Sequence, residues 1–507
     1  MYSNPIEIVG YIFRRNLKNM RYRKSWLALT LIMGFQSASA WAQLTPDQQK
    51  IQDLEKKIEE LDRRLTAAEA KTTGAPAPPP AIAPAPPQAL PAPEPLPSAQ
   101  TGSQRPTNAG VAAGTIPPVA ANSVGLVTVG PSGFTVQSEE GDFLLKIGAD
   151  LQTDVRTFTG KGSGSLMDQI LLRRVRPTFS GTVYKYIDYF FRPDFGQGTV
   201  VIYEAYAQLN YIPHFAIRAG KFKPPVDLER LQSDDDTSFI ERGLPTLLAP
   251  SRAIGFQLSG DLLPHRVGYQ VGVFNPVPDN SLSDTSPSNS RDYTARLFAT
   301  PFQPNENMLS GLGFGFAARG GSVDGVALPA YKTVGQNTFF NFASNVVSAG
   351  HRTTLAPQAF YYLGPFGILA EDTVNEEEFQ KSTVRRDVAL RSWEVAATYI
   401  LTGEKKSYGS PNPKHPFDLS NHGWGAWEIA ARTGDFRVDE GMFAAGFASL
   451  NSSPKFAREW VGGVNWYLNR ILRISVDYGH TNFLGGAVDA NRASERVILS
   501  RFQINFI

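Results

Sequence analysis

From about Phe134 onward, hydrophobic and polar residues alternate in segments of roughly ten, separated by turn residues. In TFSGTVYKY, Thr178, Ser180, Thr182, Tyr184 and Tyr186 share one face, against Phe179, Gly181 and Val183. In VIYEAYAQLNY, Glu204, Tyr206, Gln208 and Asn210 oppose Tyr203, Ala205, Ala207, Leu209 and Tyr211. The segments RVGYQVGVF, SWEVAATYIL, LRISVDYGH and RFQINF repeat the pattern. A period of two is the signature of a strand with one apolar and one polar face. The stretch has room for about sixteen such strands plus turns.

Two architectures share this alternation. A soluble sandwich turns its polar face to bulk water. A membrane sheet turns its apolar face to lipid and must close, because no backbone donor there can go unpaired. The apolar faces here are framed by aromatics, and an export signal precedes them. The pattern therefore predicts an all-β transmembrane barrel of about sixteen antiparallel strands, wide enough for an aqueous channel.

Upstream, the text changes three times. Residues 1–42 read as a signal peptide: basic Arg21, Arg23 and Lys24, an apolar run from Trp26 to Phe35, and the cleavage pattern Ala40-Trp41-Ala42. Met20 makes a better start than Met1. Residues 43–73 carry Ile51, Leu54, Ile58, Leu61, Leu65 and Ala68 at heptad spacing, which predicts a short coiled-coil helix. An amphipathic helix lying on a surface has the same spacing. Residues 74–133 form a proline-rich spacer, with fourteen of the 37 prolines before residue 119 and too few large apolar side chains to fold. The barrel then occupies 134–507.

One connection stands out. Between HFAIRAG and AIGFQLSG lies Lys221–Arg252, with a triple aspartate and four internal prolines. Phe222, Val226, Leu228, Leu231, Phe239, Ile240, Leu244, Leu247 and Leu248 punctuate it, so it should pack against something. Two arrangements fit: a loop folded into the lumen that narrows it, or a loop packed on the rim.

Composition narrows the chemistry. Cysteine is absent, which removes disulfides and thiolate sites. The formal charge is +2, and no clustered basic face suggests nucleic acid. The six histidines are scattered, with no metalloprotease, nucleophile-elbow or phosphate-loop motif, so neither an enzyme nor a cofactor is expected. Within 134–507 the charges nearly balance, so any ion preference must come from placement.

Arg174 and Arg176 sit two apart on the polar parity, with Leu172, Thr178 and Ser180, while Val175, Pro177 and Phe179 take the other. A lipid-facing arginine costs about 2–4 kcal/mol at the midplane, which puts the pair in the lumen. Arg192 and Arg218 share the polar parity of their strands. Lys221, Lys223, Arg230, Arg242 and Arg252 lie on the long connection, answered by Glu229, Asp234, Asp235, Asp236 and Glu241. Either these nine cations line a pore, or they form a salt-bridged network that fastens the loop.

Several stretches, in order, resemble the phosphate-selective porin O and P family: LLRRVRPTFSGTVYKYIDYFFRPDFG (171–196), AGKFKPPVDLERL (219–231), FIERGLPTLLAPSRAIGFQLSG (239–260), YILTGEKKSY (399–408), GAWEIAAR (425–432), NWYLNRILRISVDYGHTNF (465–483) and RFQINF (501–506). The resemblance implies a sixteen-stranded outer-membrane barrel, usually a homotrimer, whose third loop enters the pore while arginines and lysines guide anions such as phosphate. Two features depart from it. Phe506 is penultimate where such barrels end on an aromatic, and the coiled coil and spacer lie outside the barrel motif. A passive channel for small hydrophilic or anionic solutes follows. The alternative is an anchor whose periplasmic coiled coil and spacer reach the cell wall.

Overall fold

The computed structural model describes residues 125–506, apart from 161–165, 264–265, 287, 304–306 and 327. The expected signal peptide and coiled coil, and most of the spacer, lie outside the described residues.

Strands form where the alternation predicts them. A hairpin of β1 (Leu126–Gly130) and β2 (Gly133–Gln137) pairs with the start of β3 (Leu144–Phe158). Thus β1 falls within residues assigned above to the spacer. The segment LVTVGPSGFTVQ carries its own short alternation around a Pro-Ser-Gly turn. β4 (Gln169–Val183), β5 (Ile187–Asp194), β6 (Val201–Ile212), β7 (Phe215–Phe222), β8 (Ala253–Leu263), β9 (Val267–Phe274), β10 (Asp292–Ala299) and β11 (Leu312–Asp324) follow as an antiparallel meander. The next connection holds a separate small hairpin, β12 (Tyr331–Lys332) and β13 (Thr338–Phe340). Then come β14 (Val346–Leu363), β15 (Phe366–Lys381), β16 (Val384–Ile400), β17 (Ala426–Val438), β18 (Pro454–Tyr467), β19 (Leu472–Ala487), the two-residue β20 (Ala490–Asn491) and β21 (Glu495–Phe506).

The ring closes where β21 pairs with β3, from Val497 opposite Phe158 to Phe506 opposite Ala149. Without the peripheral β1, β2 and β20, sixteen strands make the barrel. Closure leaves no free edge, as a sheet in lipid requires. Among the described residues no helix is long and apolar enough to cross a membrane.

The faces separate cleanly. Leu172, Phe256, Val271, Leu297, Phe316 and Phe502 are exposed on the outside, whereas Asp150, Gln152, Asp154, Arg176, Gln257 and Arg501 are buried inside. At the end with the short turns, Tyr186 stacks on Tyr211 with ring centroids 4.7 Å apart and Trp427 on Trp466 at 5.1 Å, a girdle of the kind that marks a membrane interface.

We expect a chain beginning at residue 119, placed behind an export signal, to assemble a heat-modifiable barrel. Loss of the heat-dependent gel shift would mean that the upstream segment is needed for folding.

Candidate functional site

The segment between β7 and β8 bonds to side chains on the polar face of strands all round the ring. Its apolar residues are buried, Leu231 only partly. Val226 packs with Ala317 and Ala356. Phe239 and Ile240 meet Ala396, Ala430, Val461 and Leu499. Leu244, Leu247 and Leu248 join Phe339, Phe379, Phe436 and Met442. Each large side chain buried this way contributes about 1.5–3 kcal/mol.

Polar contacts fix its register. Glu241 takes Arg173 at 2.8 Å, Arg156 at 3.4 Å and Arg501 at 3.8 Å. On the adjoining β19 and β18, the Ile240 amide donates to Asp477 at 2.7 Å, and Asn465 Nδ2 donates to the Ser238 carbonyl at 2.7 Å.

The aspartate at 234 is the hub. Its carboxylate pairs with Arg176 at 2.5 Å, with Arg242, and with Arg174 and Arg252 at 3.8 Å, and accepts the Tyr203 hydroxyl at 3.0 Å. Tyr203 lies under two of these cations, its ring centroid 3.6 Å from the Arg176 guanidinium and 3.9 Å from that of Arg252. Burial alone would raise the Asp234 carboxyl, yet the guanidinium groups of Arg174, Arg242, Arg176 and Arg252 hold it well below the usual carboxylate range. Glu241 is buried too, and Arg173 beside it has the same effect.

Two β-bulges build this hub, and both overturn parities read from the sequence. Opposite β3, Gln152 pairs with Arg174 and Thr153 with Leu172, so Arg173 is an extra residue. Arg173 and Arg174 thus both reach loop carboxylates, and Leu172, assigned above to the polar parity, is exposed outside. On β6, Glu204 pairs with Arg192 and Ile202 with Pro193, so Tyr203 is extra. That turns Tyr203 inward beside Glu204, against its expected outward parity.

The nine cations fall into distinct settings. Arg174, Arg176, Arg242 and Arg252 surround Asp234, and Arg252 also donates to Glu204 at 2.8 Å. Lys221 pairs with Asp284 at 2.5 Å. Arg230 donates to the Thr246 carbonyl and to Asn280 at 2.7 Å. The remaining three, Arg192, Arg218 and Lys223, border a cavity of about 580 Å³ beside β5 to β10.

That cavity differs from the hub in one respect. Its arginines are held by neutral groups. Arg192 donates to the Thr178 hydroxyl at 2.9 Å, and Arg218 to Gln208 at 2.7 and 2.9 Å. Arg296, which the sequence reading did not single out, donates to Gln358 at 2.8 Å and Gln270 at 3.1 Å. Each lies near an aromatic ring: Arg192 is 5.0 Å from the Phe190 centroid, Arg218 4.3 Å from Tyr206 and Arg296 4.5 Å from Phe298. Lys223 donates to the Gln232 carbonyl at 2.7 Å, and burial together with Arg252 pushes its ammonium well down. The lining acid Glu204 is engaged by Arg252.

The sequence profile of phosphate-selective porin O and P matches residues 145–506. The chain belongs to this family. This porin is 23% identical to Porin O of Pseudomonas aeruginosa over 386 residues, 68% of this chain and 84% of that protein. Its fold resembles two solved structures: the outer membrane channel DcaP of Acinetobacter baumannii (TM-score 0.49, 12% identity, 74% of this chain and 100% of that one) and an anion-selective porin from Comamonas acidovorans (TM-score 0.46, 11% identity, 71% and 99%).

In this porin a second segment reaches the loop from the end with the short turns. It connects β16 to β17. The Tyr408 hydroxyl donates to the Leu228 carbonyl, Gln232 donates to the Tyr408 carbonyl at 2.6 Å, and the Ser410 amide donates to Asp236 at 2.9 Å. The family stretch YILTGEKKSY runs into this segment, but nothing in its composition tells where it docks.

Replacing Asp234 by Ala should leave four guanidinium groups without their shared counter-charge. Breaking a buried pair of this kind costs about 3–5 kcal/mol. We expect the variant barrel to assemble while the segment around Ser233–Thr246 becomes protease-sensitive. Protection equal to wild type would show that Asp234 is not the fastener.

Proposed function

We propose that this outer-membrane porin conducts small anions, phosphate among them, through a lumen narrowed by the third loop, Lys221–Arg252. The observation that carries the reading is the cavity bordered by Arg192, Arg218 and Arg296, whose hydrogen bonds go to neutral side chains. A guanidinium held by an amide or hydroxyl keeps its full charge for a passing anion. One held by Asp234 does not. The uncharged partners and aromatic rings fix each fork in place, so little rotamer freedom is lost when an anion arrives. Water in the channel screens the attraction enough for release.

The selectivity residues in this reading are Arg192, Arg218 and Arg296, with Lys223 beside them. Arg174, Arg176, Arg230, Arg242 and Arg252 instead hold the loop. The loop's narrowing role is supported by its bonds to polar-face residues on well-separated strands of the ring, Glu241 to Arg173 on β4 and the Leu228 amide to Glu371 on β15. β3 begins at the end with the short turns, which barrels of this class turn to the periplasm. The coiled coil and spacer would then lie in the periplasm, and the barrel would assemble as a homotrimer.

Converting Arg192, Arg218 and Arg296 together to Ala should move the reversal potential in a KCl gradient towards cation preference, most strongly below about 0.1 M salt, where the screening length exceeds roughly 10 Å. Unchanged selectivity at low salt would sink the assignment. Separately, deleting Ser233–Thr246 should raise single-channel conductance. An unchanged value in an assembled barrel would place the loop outside the conducting path.

A further inference from the structure

Away from the arginine cavity, three glutamates converge. Glu229 belongs to a single helical turn after β7, Glu371 to β15 and Glu394 to β16. One carboxylate oxygen from each lies within 4.8 Å of the other two. All three side chains are buried.

Their hydrogen bonds do not account for them. Glu229 accepts the Gly243 amide at 2.7 Å and Arg432 at 3.3 Å. Glu371 accepts the Leu228 amide at 2.7 Å and the Glu229 amide at 3.4 Å through one oxygen, and its other oxygen has no hydrogen-bond partner among the described residues. Among the same residues Glu394 has none on either oxygen, although it is 1% exposed. The Arg432 guanidinium stands 3.8 Å from it but also serves Glu229 and, at 3.2 Å, Glu459. Arg432 is thus shared among three carboxylates, and none of its ion pairs is with Glu371. The Glu394 carboxylate packs directly on Gly243, where a Cβ would lie 1.4 Å from its Oε2, so the loop's glycine lets it approach the other two acids.

Buried carboxylates this close need a further positive charge, either a shared proton or a metal ion. Oxygens up to 4.8 Å apart match the span across a hard cation with oxygen ligands at about 2.3–2.6 Å. Magnesium suits them less, since it demands a tighter octahedron and keeps its own waters. We propose that Glu229, Glu371 and Glu394 bind a divalent cation of the calcium class. The ion would clasp the segment after β7 to the wall at β15 and β16. None of the three glutamates lines the arginine cavity, although Glu371 stands opposite Gln358, the partner of Arg296, so calcium uptake rather than anion selectivity is the readout.

The test uses the full chain, purified in detergent, stripped with EDTA while warmed and then dialysed against radioactive calcium. We expect one saturable calcium per chain in the wild type, lost in Glu371→Gln with Glu394→Gln. Heat-modifiable gel mobility would show that each barrel is assembled. Should the double variant fail to assemble, the single Glu394→Gln change serves, with the same expected loss. Calcium should also protect the loop from protease in the wild type alone. A stripped, assembled wild type that takes up no calcium would mean that a shared proton holds the cluster, overturning the proposal. Binding that survives the substitutions would overturn it too, by placing the ion elsewhere, for example on the exposed His351 and Asp387 with the half-buried Glu378.

Discussion

One buried carboxylate, that of Asp234, carries the counter-charge for a cluster of guanidinium groups drawn from three sources. Arg174 and Arg176 come from β4, Arg242 from the loop's own return path, and Arg252 from its last residue. Without a shared anion, cations this close would repel each other and each would carry its own desolvation penalty. With it, wall and loop become one electrostatic unit. The position of the apolar anchors, the space left beside β5 to β10, and the division of arginines into paired and unpaired sets all follow from that unit.

Much of the fold is legible in the sequence because strand periodicity is local. The sixteen strands, the inside and outside of most of them, and the unusual length of the third connection can be read directly. Parity fails where the chain carries an extra residue. Arg173 and Tyr203 are such residues, and no local pattern marks them. Both bulges lie beside the Asp234 hub, where the chain must deliver two neighbouring side chains to the same side. Strict alternation cannot do that.

The site was less legible for a different reason. A sequence shows which cations exist but not which acids answer them. Arg176 and Arg192 share the polar parity and look equivalent in the text. One meets Asp234 and the other a threonine hydroxyl. That difference depends on a loop some forty residues away. Arg296 was within reach, since in DYTARLFA it alternates with the exposed Tyr293 and Leu297, but an isolated arginine draws no attention without its neighbours. The docking of the β16–β17 segment was beyond reach, because each contact joins a side chain of one segment to a backbone group of the other, and every segment offers backbone groups.

The closing strand has its own relation to the loop. Arg501 approaches Glu241, and Gln503 donates to the Asp235 carbonyl at 3.3 Å, so β21 touches the loop as well as β3. The first and last strands of the ring can meet only late, since they are separated by most of the barrel sequence and long-range pairing is slow. By then the loop is either seated or not. A seated loop offers the last strand extra polar partners. A misplaced one leaves Arg501 with Asp154 of β3 alone and Gln503 without the Asp235 carbonyl. A chain whose loop is already seated therefore closes its seam with more polar contacts than one whose loop is misplaced.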